Sequence, residues 1–265
     1  MKRLIPAILL LITLMASCSN EKPYTIQGRI ELPDSLLVGD SLMATPSLEG
    51  WQVYMLNLDG ESIDSVQISD NQFSFEGMVN KKDPYFVYLA SDLCVGLIAI
   101  EPGDIEVVID AESLTATGTP TNDMMIDIDA TLLNLQQDTY AEMAALTQEY
   151  GEAMPDSLIM PLYQDYMSKY NQVVDSFYQA SPEGLAAVYC VNVLTSHAQS
   201  SAELMEALSE YPDEIQDSPL MQSRLAYLRS IESYYQMLEG QTQDTTSFSI
   251  EDLMRDAQIS TPDAN

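Results

Sequence analysis

The sequence predicts an α+β chain: an antiparallel β-sandwich or open barrel over residues 24–114, a linker over 115–121, and a helical domain over 122–240. Three observations carry this reading. Apolar residues alternate with a period of two from Tyr24 to about Ile109, the mark of half-buried strands. From Asn122 onward they recur at three and four, the mark of amphipathic helices. The 265 residues are 46% hydrophobic and 19% charged, which is enough apolar material for a core and too much for an acidic disordered chain.

In chain order, Met1-Lys2-Arg3 is a short positive start, and Leu4 to Leu14 is apolar apart from Pro6 and Thr13. That stretch is too short to span a bilayer and has the size of a secretory h-region. Residues 1–17 are therefore read as a signal peptide. Leu14-Met15-Ala16-Ser17-Cys18 resembles the lipobox of bacterial lipoproteins, where cleavage precedes a cysteine that is then lipidated. The competing reading is an ordinary signal peptide that leaves Cys18 as a free thiol. With lipid on Cys18, residues 18–23 form a tether, and several acyl chains give durable attachment because each buried methylene adds about 0.8 kcal/mol. A serine after the anchor cysteine, here Ser19, implies transport to the outer membrane in such lipoproteins, facing either the periplasm or the exterior.

The strands follow. Tyr24 to Ile30 is the first, and Trp51 to Leu56 the second, closed by the turn signal Asp59-Gly60. Residues 33–50, with Pro33, Gly39, Pro46 and Gly50, read as a long excursion between them. Ser65 to Ile68 and Phe73 to Phe75 read as a hairpin around Ser69-Asp70-Asn71. Tyr85 to Leu89, Val95 to Ile100 and Ile105 to Ile109 complete a set of seven, the spacing of a sandwich or open barrel.

Beyond the linker, Met125, Ile128, Leu132, Leu135, Met143, Leu146 and Tyr150 form one helical stripe, ending at Gly151. Ile159, Leu162, Tyr166, Tyr170, Val173 and Phe177 form a second, with Pro161 in its first turn or kinking it. Ser181-Pro182 reads as a capped start for a third helix, apolar nearly all round from Leu185 to Leu194. A fourth helix spans Ser201 to Tyr211. Ser218-Pro219 opens a fifth carrying Met221, Leu225, Leu228, Ile231, Tyr235 and Leu238. The polar residues 241–265 are expected to be a disordered tail.

Ile63-Asp64-Ser65 with Asp70-Asn71-Gln72-Phe73-Ser74-Phe75-Glu76-Gly77, together with Ile100-Glu101-Pro102-Gly103-Asp104-Ile105 and Gly118-Thr119-Pro120-Thr121-Asn122-Asp123, resembles a β-domain of unknown function found in envelope lipoproteins of Bacteroidetes. In that family the β-domain is usually followed by a helical segment and then a thioredoxin-like (AhpC/TSA, TlpA-like) thiol–disulfide oxidoreductase domain. The resemblance spans roughly Tyr24 to Gly240. A thioredoxin-like domain needs Trp-Cys-x-x-Cys at a helix start, where the paired thiol and helix dipole lower the nucleophile's pKa. Here the sole tryptophan is Trp51 and no two cysteines are close in sequence. The expectation is an architecture without its thioredoxin-like domain and without redox catalysis of its own.

Charge and composition exclude other classes. With 41 acidic and 10 basic side chains, the net charge of −31 repels phosphate backbones, so no nucleic-acid partner is expected. One histidine and three cysteines leave little for zinc or histidine proton shuttles. Cys94 and Cys190 are either bridged or, the favoured reading, separate buried thiols. His197 beside Ser196 lacks a Gly-x-Ser-x-Gly elbow and reads as a capping or solvent-facing residue. Asp123, Asp127 and Asp129 read as acids favouring a helix start rather than a cation site. No catalytic residue, metal or cofactor is assigned. Tyr163, Tyr166 and Tyr170 are the candidate ligand contacts, since tyrosine joins an apolar body to a hydrogen-bonding tip. Packing between helices is their default role.

The sequence reading is thus a non-catalytic, lipid-anchored envelope protein that binds or scaffolds. Its partners are the membrane, through the N-terminal lipid, and an envelope protein. The alternatives are an accessory of thiol–disulfide exchange lacking its own dithiol, or a glycan-binding envelope protein.

Overall fold

A computed structural model describes residues 20–245 except 34, 39–40, 46, 112 and 152–154. The signal-peptide, Cys18 and most of the tail readings lie outside these residues. The chain is α+β and divides into two compact units, one ending at Ser196 and one beginning at His197.

The first unit opens with ten described strands: β1 (Glu21–Ile30), β2 (Ser35–Val38), β3 (Ser41–Ala44), β4 (Gln52–Leu56), β5 (Ser62–Gln67), β6 (Gln72–Asn80), β7 (Tyr85–Ala90), β8 (Val95–Ile100), β9 (Gly103–Ile109) and β10 (Leu114–Thr117). They form two four-stranded sheets, ordered β10-β9-β1-β6 and β5-β4-β7-β8, and the separate hairpin β2-β3. Alternation sets the two faces. In β1, Tyr24, Ile26, Gly28 and Ile30 are buried while Gln27 and Arg29 are exposed. One core joins both sheets: Ile26, Ile105 and Val107 from the first meet Val53, Leu89, Ile98 and Ile100 from the second, all without solvent exposure. Each such side chain contributes about 1.5–3 kcal/mol. The close β1–β6 pairing explains one glycine: Gly28 faces Phe73 across the ladder, and a Cβ there would lie 2.0 Å from the Phe73 ring.

The tight reversal at Ser69–Gln72 is present. Asp70 and Asn71 adopt φ of 52° and 58°, which these side chains tolerate, and Ser69 and Gln72 exchange two backbone hydrogen bonds of 2.9 Å. The expected hairpin is not. Beyond that bridge β5 pairs with β4 and β6 pairs with β1, so the turn is a corner between sheets. The first sheet also contains a parallel pair, β1 with β9. Two features depart from the strand reading of the sequence. β10 takes up the first three residues of the segment read as a linker, Thr115 to Thr117, and pairs with β9. β1 begins at Glu21, inside the segment read as a tether, pairing Glu21 to Pro23 with Asn80 to Met78.

Three helices complete this unit: α1 (Pro120–Tyr150), α2 (Asp156–Ala180) and α3 (Gly184–Leu194). α1 ends at Gly151, whose φ is 61°. Only its first turns are deeply buried, at Thr121, Asn122, Met125 and Ile128. Pro161 lies inside α2 rather than in its first turn. Ser181 does not cap α3. It terminates α2, its N–H donating to the carbonyls of Phe177 and Tyr178, while Glu183 precedes α3. The physical reason is that the residue before a proline is pushed out of the helical region, so Ser181-Pro182 stops one helix before another starts. α3 is buried at five consecutive residues, Ala187 to Val191.

The second unit contains α4 (Ser201–Leu208), α5 (Asp213–Gln216) and α6 (Pro219–Thr245). Leu204, Leu208, Ile215, Met221 and Leu225 are buried. The stripe on α6 is covered only at its start, since Tyr235 is 61% exposed.

Candidate functional site

Two of the motifs singled out in the sequence meet at the edge of β8. The Asn122 side chain, fully buried, pairs with the backbone of Ala99 as a neighbouring strand would: its Oδ1 accepts from the Ala99 N–H, and its Nδ2 donates to the Ala99 carbonyl, both at 2.9 Å. Nδ2 also donates to Thr119 Oγ1 at 2.8 Å. Glu101 closes the same place from the other side, its two oxygens accepting from the N–H of Thr121 at 2.7 Å and from the Thr121 hydroxyl at 3.1 Å. These are helix-start donors that have no partner within the helix. Asp123 Oδ1 accepts from the Gly118 N–H at 2.7 Å. Gly118 has φ 95°, and a Cβ on it would lie 2.4 Å from the Asp104 carbonyl oxygen, so only glycine fits. Leu114 of β10 packs over Gly96 of β8. The two motifs therefore build a latch that fixes α1 to the sandwich. Every polar group in it has a structural partner, and its role is architectural.

Of the three helix-start acids, Asp123 serves the latch, while Asp129 accepts a 3.0 Å hydrogen bond from the Tyr189 hydroxyl of α3. Tyr189 is 8% exposed, and burial, then the Asp129 charge, drives its pKa upward. Burial likewise raises the Asp129 carboxyl, with the Tyr189 hydrogen bond pulling the other way. Asp129 as a whole remains exposed, so solvent screening limits its effect. Among the described residues no group of three or more His, Cys, Asp or Glu is arranged to hold a metal ion.

The three candidate contact residues lie together on α2 and gain a fourth from α1. The Tyr166 and Tyr170 rings are 6.1 Å apart between centroids, tilted by 50°, and both are half-buried. The Tyr166 hydroxyl is raised by burial and by the nearby Tyr170, Tyr140 and Tyr163. Tyr163 and Tyr140 are 57% and 65% exposed. The group thus runs from a packed base, Tyr166 and Tyr170, to two rings standing in solvent. Tyr140, one of the tyrosines of the helical region, sits ten residues before Tyr150 in a stripe that does not include it; only the helix pairing brings it to Tyr166.

Cys94 and Cys190 are free thiols. Burial raises both, Cys190 to about 11 and Cys94 despite its hydrogen bond with Ser91, the reverse of an activated nucleophile. His197 is exposed. A shallow cavity of about 750 Å³ lies along the first sheet at its corner with β5, with Arg29, Ser74, Glu76 and Glu106 of the first sheet and Gln67 of β5 in its lining; no local pattern in the sequence marks it, because it depends on pairing between distant strands. No curated protein matches the chain. Residues 24–125 match the family model described as a domain of unknown function, DUF4369, a span that runs from β1 through both sheets to the buried first turns of α1.

Proposed function

We propose that this protein is a non-catalytic binding or scaffolding component of the cell envelope, held to the outer membrane through lipid on Cys18. Its contact surface is the tyrosine face of α1 and α2. The observation that supports this is the graded group Tyr140, Tyr163, Tyr166 and Tyr170: two half-buried rings support two exposed ones. Large, stiff, hydroxyl-tipped rings give contact area at low entropic cost, which is why tyrosine dominates binding hot spots. The raised thiols add support, because protonated, packed cysteines do not exchange disulfides.

The test is crosslinking in intact cells with the full chain, comparing it with a Tyr140→Ser, Tyr163→Ser double variant. Both positions are exposed, so folding should be unaffected. The reading predicts a discrete crosslinked partner that the variant loses. A partner retained at full yield would remove the tyrosine face from the account. Intact mass of the mature protein tests the anchor: an acylated Cys18 is expected, and an unmodified thiol contradicts it.

A further inference from the structure

The first sheet ends on one side at β6, and among the described residues no strand pairs with its far side. Which backbone groups face that side follows from the corner. Gln72 exchanges both its hydrogen bonds with Ser69 on the side of β5, and the β1–β6 register is continuous from Arg29↔Gln72 to Glu21↔Asn80. Like-facing residues alternate along an antiparallel strand. Ser74, Glu76 and Met78 therefore direct N–H and C=O away from β1. Natural edges this long are usually blunted by charged side chains, proline or a bulge. Gln72–Asn80 has no proline and no bulge, and its one charge is Glu76, whereas the edge of β8 is occupied by Asn122 and β10 is only four residues long.

We infer that the free edge of β6 is a docking site for an extended segment of a partner polypeptide carrying basic side chains at alternate positions. This goes beyond the tyrosine face and stands on a different part of the unit. Strand addition supplies affinity through the backbone, and side chains at alternate positions supply selectivity. Charge selects the occupant. Glu76 is exposed beside the edge, and the adjoining cavity also holds Glu106. Its one guanidinium, Arg29, is already paired with Glu31 at 2.5 Å. A second copy of the chain would bring another net charge of −31, and antiparallel self-pairing centred on Glu76 would oppose carboxylate to carboxylate, which is destabilising.

The probe is a nine-residue peptide of alternating lysine and valine, titrated into the full chain and followed by amide exchange and by fluorescence anisotropy. Bound peptide should slow exchange at Ser74, Glu76 and Met78 selectively. Ser74→Pro removes an outward N–H that the β1 ladder does not use, so the sheet should persist while peptide affinity falls by about tenfold or more. Glu76→Lys, at an exposed position, should weaken the same peptide and strengthen one with glutamate in place of lysine. Equal binding to Ser74→Pro would reduce the effect to diffuse charge attraction and overturn the proposal. So would protection confined to other strands, or a dimer of the unmodified chain that Ser74→Pro abolishes, which would assign the edge to a second copy.

Discussion

At one side of the sandwich, β10 of the first sheet approaches β8 of the second, and the start of α1 fills the seam with Asn122 on Ala99 and Glu101 on Thr121. At the other side, β5 and β6 leave the turn at Ser69–Gln72 joined by one bridge and then belong to different sheets. The same problem, a row of unpaired backbone groups at a sheet edge, is solved at the first seam and, among the described residues, left standing at the second. The difference teaches where function can reside. Groups committed to closing a seam are saturated by structural partners, whereas an edge still carrying its donors and acceptors is available to something else.

The largest expected effect comes from opening the closed seam. Asn122→Ala leaves the N–H and carbonyl of Ala99 buried without their partners, and should lower the unfolding free energy of the first unit by about 3 kcal/mol, measured by urea titration. A loss below about 0.5 kcal/mol would mean that the seam is not held by this side chain. Next comes Gly118→Ala. It forces a Cβ against the Asp104 carbonyl at a φ of 95° and should cost about 2 kcal/mol, with the same readout.

A smaller effect, set by pH, contrasts the two units. In the second unit, Glu232 accepts from the Ser201 N–H at 2.6 Å and from its hydroxyl at 2.9 Å, fastening α6 to the start of α4. Those bonds lower its pKa. A carboxyl lowered in the folded state lends stability above its unfolded pKa of about 4.3 and loses it as pH falls through the folded value. Asp129 in the first unit is raised, so its contribution runs oppositely and is lost as pH rises through the folded value. Acidification from neutral pH should therefore loosen the start of α4, seen as faster exchange of the Ser201 amide corrected for intrinsic rate. Glu232→Gln should flatten that dependence, and an unchanged profile would remove Glu232 from the cap.

Much of this was legible in the sequence, with gaps that have physical causes. β7 and β8 are short apolar runs with adjacent residues buried on both faces, whereas alternation marked β1, β4 and β9 because each buries one face. The three-and-four spacing marked α1, α2 and α6 for the same reason. Pairing was not legible. Ser69-Asp70-Asn71 carries the residues of a tight turn, and nothing local says that the strands it joins will separate. β10 was passed over because Thr115 to Thr117 is short and polar, and its stability comes from β9. Tyr163, Tyr166 and Tyr170 could be grouped by spacing alone, but Tyr140 joins them only through helix pairing. Asn122 stood within a recognised motif, yet its partner is a backbone amide 23 residues earlier, which no side-chain pattern records.

The most direct test compares amide hydrogen exchange at the two seams of the unmodified protein. Ala99 should exchange only with global opening of the first unit, while Ser74, Glu76 and Met78 exchange orders of magnitude faster, and Asn122→Ala should move Ala99 alone toward the fast group. Protection of Ser74, Glu76 and Met78 equal to that of Ala99 would show that the second seam is closed as well, and would contradict the account.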